Sequence, residues 1–225
     1  MRNYHGYTFN FEDVAQQLLR ITKPGGAVVW IVADQTLRGN ESGTSFRQAL
    51  YFQSIGFNLH DTMIWVKDGG GSVGSNRAYC QNTEYMFVFA KGRLKTFNPI
   101  RDHENKTVGG VKRGHGRRRA DGKINNENGK ERVTPAFSKR NNWWQVNHIA
   151  GYGDHPAVFP LCIARDHILS WSNPGDVVLD PFMGSGTTAV AALETGRKYI
   201  GFEISPEYTA LANDRIQKYV QGGTL

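Results

Sequence analysis

The chain has 225 residues, 39% of them hydrophobic, with a formal net charge of +7. That length suits one large domain, or one domain carrying an insertion. No apolar run reaches membrane-spanning length, and the opening residues Met1-Arg2-Asn3-Tyr4-His5-Gly6-Tyr7 lack the apolar core of a signal peptide. Two cysteines, Cys80 and Cys162, make no disulfide framework, and the seven histidines show no zinc spacing. The expectation is a cytoplasmic protein without a metal.

Residues 11–21 place apolar side chains at helical spacing (Phe11, Val14, Ala15, Leu18, Leu19), and Lys23-Pro24-Gly25-Gly26 stops the helix. Residues 27–33 form a continuous apolar run, of the kind buried on both faces in a parallel sheet. Asp34 follows at its carboxyl end, where α/β proteins build sites. Residues 45–55 read as a second helix with Gly56 as its stop. Residues 59–67 and 84–90 read as two further strands, joined through a glycine- and serine-rich loop at 69–75 that is either a ligand-touching loop or a solvated hairpin connection.

Between residues 91 and 140 the apolar periodicity fades. This stretch holds fifteen lysines and arginines against five acids, an excess of ten, so the rest of the chain sums to about −3. All the positive excess therefore sits in one glycine- and asparagine-rich segment, the electrostatic footprint of a phosphate-backbone contact. Lys112, Arg113, Arg117, Arg118, Arg119 and Lys123 are its densest part. Trp143 and Trp144 then return the chain to the core, with base stacking as the less favoured use. A helix is expected over 161–170, and Asn173-Pro174-Gly175-Asp176 leads into the next strand.

That strand opens the most informative stretch, Val177-Val178-Leu179-Asp180-Pro181-Phe182-Met183-Gly184-Ser185-Gly186-Thr187-Thr188. It reads as a buried strand, a glycine turn and a helix over 187–194 capped by Gly196, which is how an α/β sheet makes a nucleotide-like cofactor site. Glycines let the backbone approach a ligand, since no Cβ intervenes. A strand over 198–202 delivers Glu203, about 20 residues past the first glycine, where an acid binds ribose hydroxyls. Gly184, Gly186 and Ala189 also fit a dinucleotide fingerprint, so a nicotinamide cofactor stays open locally. Only one helix, 206–220, follows, so the remaining strands must come from earlier residues.

In this order the chain resembles a site-specific DNA amino-methyltransferase, of the class whose cofactor motif lies C-terminal to its catalytic and target-recognition parts. The motifs that carry the resemblance are Asp180-Pro181-Phe182-x-Gly184-x-Gly186-Thr187, then Glu203, preceded by His155-Pro156-x-x-Phe159-Pro160. The resemblance implies a Rossmann-like α/β fold in permuted order, with residues 1–90 as the catalytic half and 91–150 as a basic target-recognition insertion. Residues 151–225 would be the cofactor-binding half. It implies S-adenosylmethionine as cofactor and double-stranded DNA as partner. Asp180, Pro181, Phe182 and the turn Gly184, Ser185, Gly186 and Thr187 would line the methionine end; Glu203 would take the ribose and Ile204 would lie beside the adenine. His155, Pro156, Phe159 and Pro160 would close the other side. The resemblance also implies a protein of bacterial or phage origin.

The family's catalytic signature, Asp/Asn/Ser-Pro-Pro-aromatic, has no counterpart here. The eight prolines are all isolated, and Asn98-Pro99-Ile100 lacks the aromatic. No catalytic residue is therefore assigned. The family's order places the signature just upstream of Met1, and the strand carrying it between the strand over 177–179 and that over 27–33. An incomplete sheet is expected, unless those two strands pair directly or a second chain, including a second copy of this one, fills the gap. Tyr4 and Tyr7, beside that position, are expected in a surface loop rather than on the flipped base. Three readings follow: a DNA methyltransferase acting on adenine N6 or cytosine N4 whose natural chain is longer; a noncatalytic DNA- and cofactor-binding fragment or subunit of a split enzyme; and a nicotinamide-dependent oxidoreductase.

Overall fold

The structure, a computed structural model, describes residues 9–67, 79–112, 121, 131–147 and 160–222. In chain order the larger unit (residues 1–98 and 142–225) begins with helix α1 (Phe11–Ile21), strand β1 (Ala27–Val32), a short ribbon of β2 (Thr36–Leu37) and β3 (Asn40–Glu41), helix α2 (Thr44–Ser54), and strands β4 (Asn58–Val66) and β5 (Thr83–Ala90). The chain then forms a smaller unit over 99–141, with strands β6 (His103–Glu104), β7 (Val111–Lys112), β8 (Arg132–Val133) and β9 (Phe137–Ser138). Returning to the larger unit it adds β10 (Trp143–Gln145), α3 (Leu161–Trp171), β11 (Val177–Asp180), α4 (Thr187–Glu194), β12 (Lys198–Gly201) and α5 (Pro206–Val220).

Local chemistry explains the boundaries. Asn10 caps α1 by accepting from the Glu12 N–H at 3.2 Å, and Glu12 and Asp13 complement the positive end of the helix. Gly196 sits just past α4 at φ +73°, a left-handed conformation that an L residue adopts only at a cost. Ser205 caps α5 and Pro206 opens it, since the ring fixes a helical φ and the first turn has no use for its N–H.

The main sheet has the order β1-β5-β4-β10. β5 is central and antiparallel to both neighbours, while β10 runs parallel to β4. One face packs Phe87 and Phe89 against Ala15 and Leu18 of α1 and Ala49 and Phe52 of α2. The other packs Met63, Trp65, Met86, Val88 and Trp144 against Ile163 of α3. The reading of β1 as a parallel strand buried on both faces is corrected: it pairs antiparallel with β5, and all six residues are only half-buried. An apolar run records how much burial a strand can use; partner and direction are set by which chain segment lies alongside.

β11 and β12 form a separate parallel pair, joined through α4. Val178 and Tyr199 pack one face of this pair against Ala164, Ile168, Ala191 and Ala192 of α3 and α4, while Leu179 on the other face reaches the α1/α2 core. Among the described residues, β1 has a strand partner only on its β5 side, and β11 only on its β12 side. β1 and β11 therefore belong, among the described residues, to separate sheets with no strand joining them.

The smaller unit is a ribbon. β6 pairs with β9 and β7 with β8, all antiparallel, with Thr134 buried between the pairs and donating to the Gly110 carbonyl at 3.0 Å. Arg140 and Asp102 close its base as an ion pair that holds the Asp102 carboxyl below its ordinary range. The two flanking residues are fastened within the larger unit. Asn98 donates its backbone N–H to Ser170 at 2.8 Å and its side chain to the Ser172 carbonyl at 3.0 Å. Asn142 accepts from the Ile64 N–H at 2.9 Å and donates to the Thr62 carbonyl at 3.0 Å.

Candidate functional site

The carboxyl end of β11 carries a dense network of polar groups. Val177–Asp180 runs as a strand until Pro181, which cannot donate to a ladder, and the chain turns through Gly184 (φ +52°) and Gly186 (φ +82°) into α4. Gly186 has a second reason to be glycine: a Cβ there would lie 3.2 Å from the Ala212 Cβ of α5. As the N-cap of α4, it leaves the helix without a side-chain cap, so the first-turn N–H groups keep donor capacity for a ligand.

Two acids frame the turn. Asp180 accepts from the Phe182 N–H at 2.9 Å and from the Thr188 hydroxyl at 2.6 Å. Burial pushes its carboxyl above the ordinary range, against those two hydrogen bonds, and the charge of Glu203 adds to the upward shift. Glu203 accepts from the Gly184 N–H at 2.8 Å with one oxygen and from the Ser205 N–H at 2.9 Å with the other. Phe182 and Ile204 present about half or more of their surface, 49% and 69%, beside these half-buried acids. The arrangement combines a carboxyl raised by burial, a glycine turn with open backbone donors, a second acid and exposed apolar surface.

Phe182 also turns toward the main sheet. Its ring meets Phe9 edge-on at 5.0 Å and Trp30 of β1 at 6.3 Å. Trp30 is held in turn by Phe11 and Phe52, and its indole N–H donates to Gln48 at 2.8 Å. A cleft of about 230 Å³ lies beside Glu203, lined by Met183, Gly201, Phe202 and Ala212. A larger one of about 560 Å³ opens at the other end of the main sheet, where β1 begins, around His60, Arg93 and Lys95.

The structure brings together Asp180, Pro181, Phe182, Gly184, Ser185, Gly186, Thr187, Glu203 and Ile204. Pro160 is fully buried at the start of α3. His155, Pro156 and Phe159 lie outside the described residues, as do Tyr4, Tyr7, the loop at 69–75, and Arg113, Arg117, Arg118, Arg119 and Lys123; of Lys112 only the backbone, in β7, is described. Asp34 is accounted for structurally. It accepts from the hydroxyls of Ser42 and Ser45 and from the Ser45 N–H at 3.2 Å, standing in for the side-chain cap that Gly43 cannot give α2. Partial burial opposes its ionisation, but the Ser45 and Ser42 hydrogen bonds hold its carboxyl below the usual range. Trp144 is buried and packs its ring, tilted by 34°, 4.5 Å from that of His167, whereas Trp143 is half-exposed. Thr188 and Arg215 escaped the sequence reading. Thr188 has a recoverable signal, since a hydroxyl in the first turn of α4 faces back toward the end of its strand. Arg215 has none: on α5 it looks like any solvated arginine, yet it is buried.

The family described as DNA methylase matches residues 1–214 of the chain. The chain belongs to that DNA methylase family. Among its relatives, the orphan methyltransferase M.BamHII of Bacillus amyloliquefaciens is 51% identical over 229 residues, covering 98% of this chain and 85% of that protein. The type II methyltransferase M.SmaI of Serratia marcescens is 32% identical across 77% of this chain, which spans only 51% of that longer protein. Among solved structures, the M1.HpyAVI–SAM complex superposes with a TM-score of 0.64 at 23% identity, covering 93% of this chain and 84% of that one, a likeness of fold. The family match decides against the nicotinamide oxidoreductase. No described helix of this DNA methylase is long and apolar enough to cross a membrane.

Proposed function

We propose that this DNA methylase binds S-adenosylmethionine at the Asp180–Glu203 turn and serves methyl transfer to an exocyclic amine of DNA, adenine N6 or cytosine N4. The observation that carries the reading is the pair of acids around one glycine turn. Asp180 is half-buried with a carboxyl pushed upward, as suits a group awaiting a cation, and the cofactor's methionine end supplies an ammonium and a sulfonium. Glu203 keeps acceptor capacity for ribose hydroxyls beyond its two backbone donors, and the open side chain of Ile204 offers a face for the adenine. Bound there, the cofactor supplies an electrophilic methyl group on sulfur. The chain's own part is to bind and orient that group and to shield it from water. His155, Pro156 and Phe159 are proposed to complete the pocket with Pro160.

The basic segment is proposed to hold duplex DNA through phosphate contacts, with Lys112, Arg113, Arg117, Arg118, Arg119 and Lys123 as its core. The target base must leave the stack, because an exocyclic amine cannot meet a cofactor within the duplex. The placing of β1 and β11 in separate sheets favours a second reading of how the activity is completed: a strand from another polypeptide stretch lies between them and carries the amine-binding groups. Incubation of the 225-residue chain with S-adenosylmethionine and unmethylated duplex DNA, followed by digestion and mass spectrometry of the nucleosides, tests both. N6-methyladenine or N4-methylcytosine names the reaction. Cofactor binding without a methylated base favours the second reading, and absence of cofactor binding overturns the proposal.

A further inference from the structure

The turn that frames the site rests on α5, and α5 meets it with two side chains. Ala212 lies against Gly186 closely enough that a Cβ on the glycine would sit 3.3 Å from the Ala212 Cα. One turn further along, Arg215 is 6% exposed and directs its guanidinium at the same residues. Its Nη1 donates to the Thr187 hydroxyl oxygen at 2.9 Å and to the Ser185 carbonyl at 3.3 Å, with the Ser185 hydroxyl at 3.5 Å. The start of α5 is tied to the site as well, through the Ser205 N–H on Glu203. One helix therefore sets both the acid at one side of the turn and the backbone of the turn itself.

The polarity of these bonds matters more than their number. A guanidinium only donates, so Thr187 Oγ must act as acceptor toward Arg215. The hydroxyl hydrogen of Thr187 is then left to point elsewhere, and it has no acceptor among the described residues. Thr188 is used the opposite way, donating its hydrogen to Asp180. Two adjacent threonines at the turn thus have opposite character: Thr188 spends its hydrogen on an acid, while Thr187, 3% exposed, keeps its own. A buried guanidinium beside the positive end of α4 favours an anion there.

We propose that Arg215 is a positioning residue for the cofactor: it holds Thr187 so that its hydroxyl donates to the α-carboxylate of S-adenosylmethionine, opposite the Asp180 that takes the cation. This rests on the cofactor reading above. In this role Arg215 acts through Thr187.

The test uses the full chain, isothermal titration calorimetry, and two ligands, S-adenosylmethionine and its decarboxylated form, which keeps the ammonium and sulfonium. The wild type is expected to bind the decarboxylated form roughly tenfold more weakly, the size of one charge-assisted hydrogen bond. Thr187→Val is expected to lose about the same factor for S-adenosylmethionine and nothing for the decarboxylated form. Arg215→Met is expected to show the same ligand-selective loss, Arg215→Lys to recover part of it, and the Thr187→Val/Arg215→Met pair to be no worse than the poorer single variant. Equal weakening of both ligands by Arg215→Met, or unchanged affinity in Thr187→Val, overturns the proposal. Should Arg215→Met fail to fold, the selectivity of Thr187→Val and Arg215→Lys decides the matter. A wild-type chain that binds neither ligand refutes the cofactor reading instead.

Discussion

Between pH 7 and pH 5, above the range of the depressed Asp34 and Asp102 carboxyls, lowering the pH should weaken this fold through His167. It lies on α3, buried against the sheet, with Trp171 Nε1 donating to its Nδ1 at 3.1 Å, Met86 Sδ 3.2 Å from its Nε2 and the Trp144 ring 4.5 Å away. Burial alone drives its pKa down from 6.5 to about 3. In the unfolded chain the imidazole titrates near its ordinary value, so between those two limits the unfolded state holds a proton that the folded state refuses. The folded pKa is depressed. The stability is therefore fully present above about pH 6.5 and drains away as pH falls toward 3. From pH 7 to pH 5 the loss works out at about 2 kcal/mol, roughly 1.4 kcal/mol for each unit below the unfolded value. Urea unfolding at the two pH values, for the wild type and for His167→Gln, isolates the contribution, because glutamine keeps an acceptor for Trp171 but does not titrate. The variant should be less stable at pH 7 and show about 2 kcal/mol less pH dependence. An identical pH dependence in both chains would refute the reasoning, since the acid sensitivity would then belong to other groups.

Other expectations follow from the turn and the basic segment. Asp180→Asn should weaken S-adenosylmethionine binding on the order of tenfold, as read by calorimetry. Because the Asp180 carboxyl is raised, wild-type affinity should also fall at acid pH before an ordinary aspartate would protonate. Gly186→Ala, placed at φ +82° against Ala212, should cost about 1–2 kcal/mol and lower the melting temperature by roughly 3–6 °C in calorimetry. Replacing Arg117, Arg118 and Arg119 by glutamine should flatten the log–log salt dependence of DNA binding by about 0.9 for each phosphate that is no longer neutralised; an unchanged slope would remove those residues from the DNA surface.

The helices and strands of the C-terminal part were legible almost to the residue because their ends are chemically marked. Pro181 ends β11, Gly196 follows α4, and Ser205-Pro206 opens α5, each fixing the backbone for a reason intrinsic to that residue. The antiparallel pair β4 and β5 was legible as two apolar runs close in sequence. The direction of β1 was not, since Val-Val-Trp-Ile packs equally well in either orientation and only β5 decides. The two-residue strands of 99–141 left no apolar pattern, because a ribbon of polar and glycine-rich sequence is held by its ladder and by hydrogen bonds such as that from Thr134 to Gly110. In the site, the two acids and the glycines were legible as types. What was not is the support beneath them: Arg215 shows its use only once α5 is folded against the turn.

The fastening of Asn98 and Asn142 has a consequence for how such proteins diversify. Each asparagine satisfies backbone carbonyls of the larger unit, on α3 and its end at one entry and on β4 at the other, so the departure and return of the chain are secured independently of what lies between. A segment anchored at both gateposts can be lengthened, shortened or exchanged while Asn98 and Asn142 keep their partners within the larger unit. Grafting 99–141 from a relative into this chain should therefore leave its melting temperature and its affinity for the cofactor nearly unchanged. Selection can rewrite one surface of the molecule without renegotiating the rest.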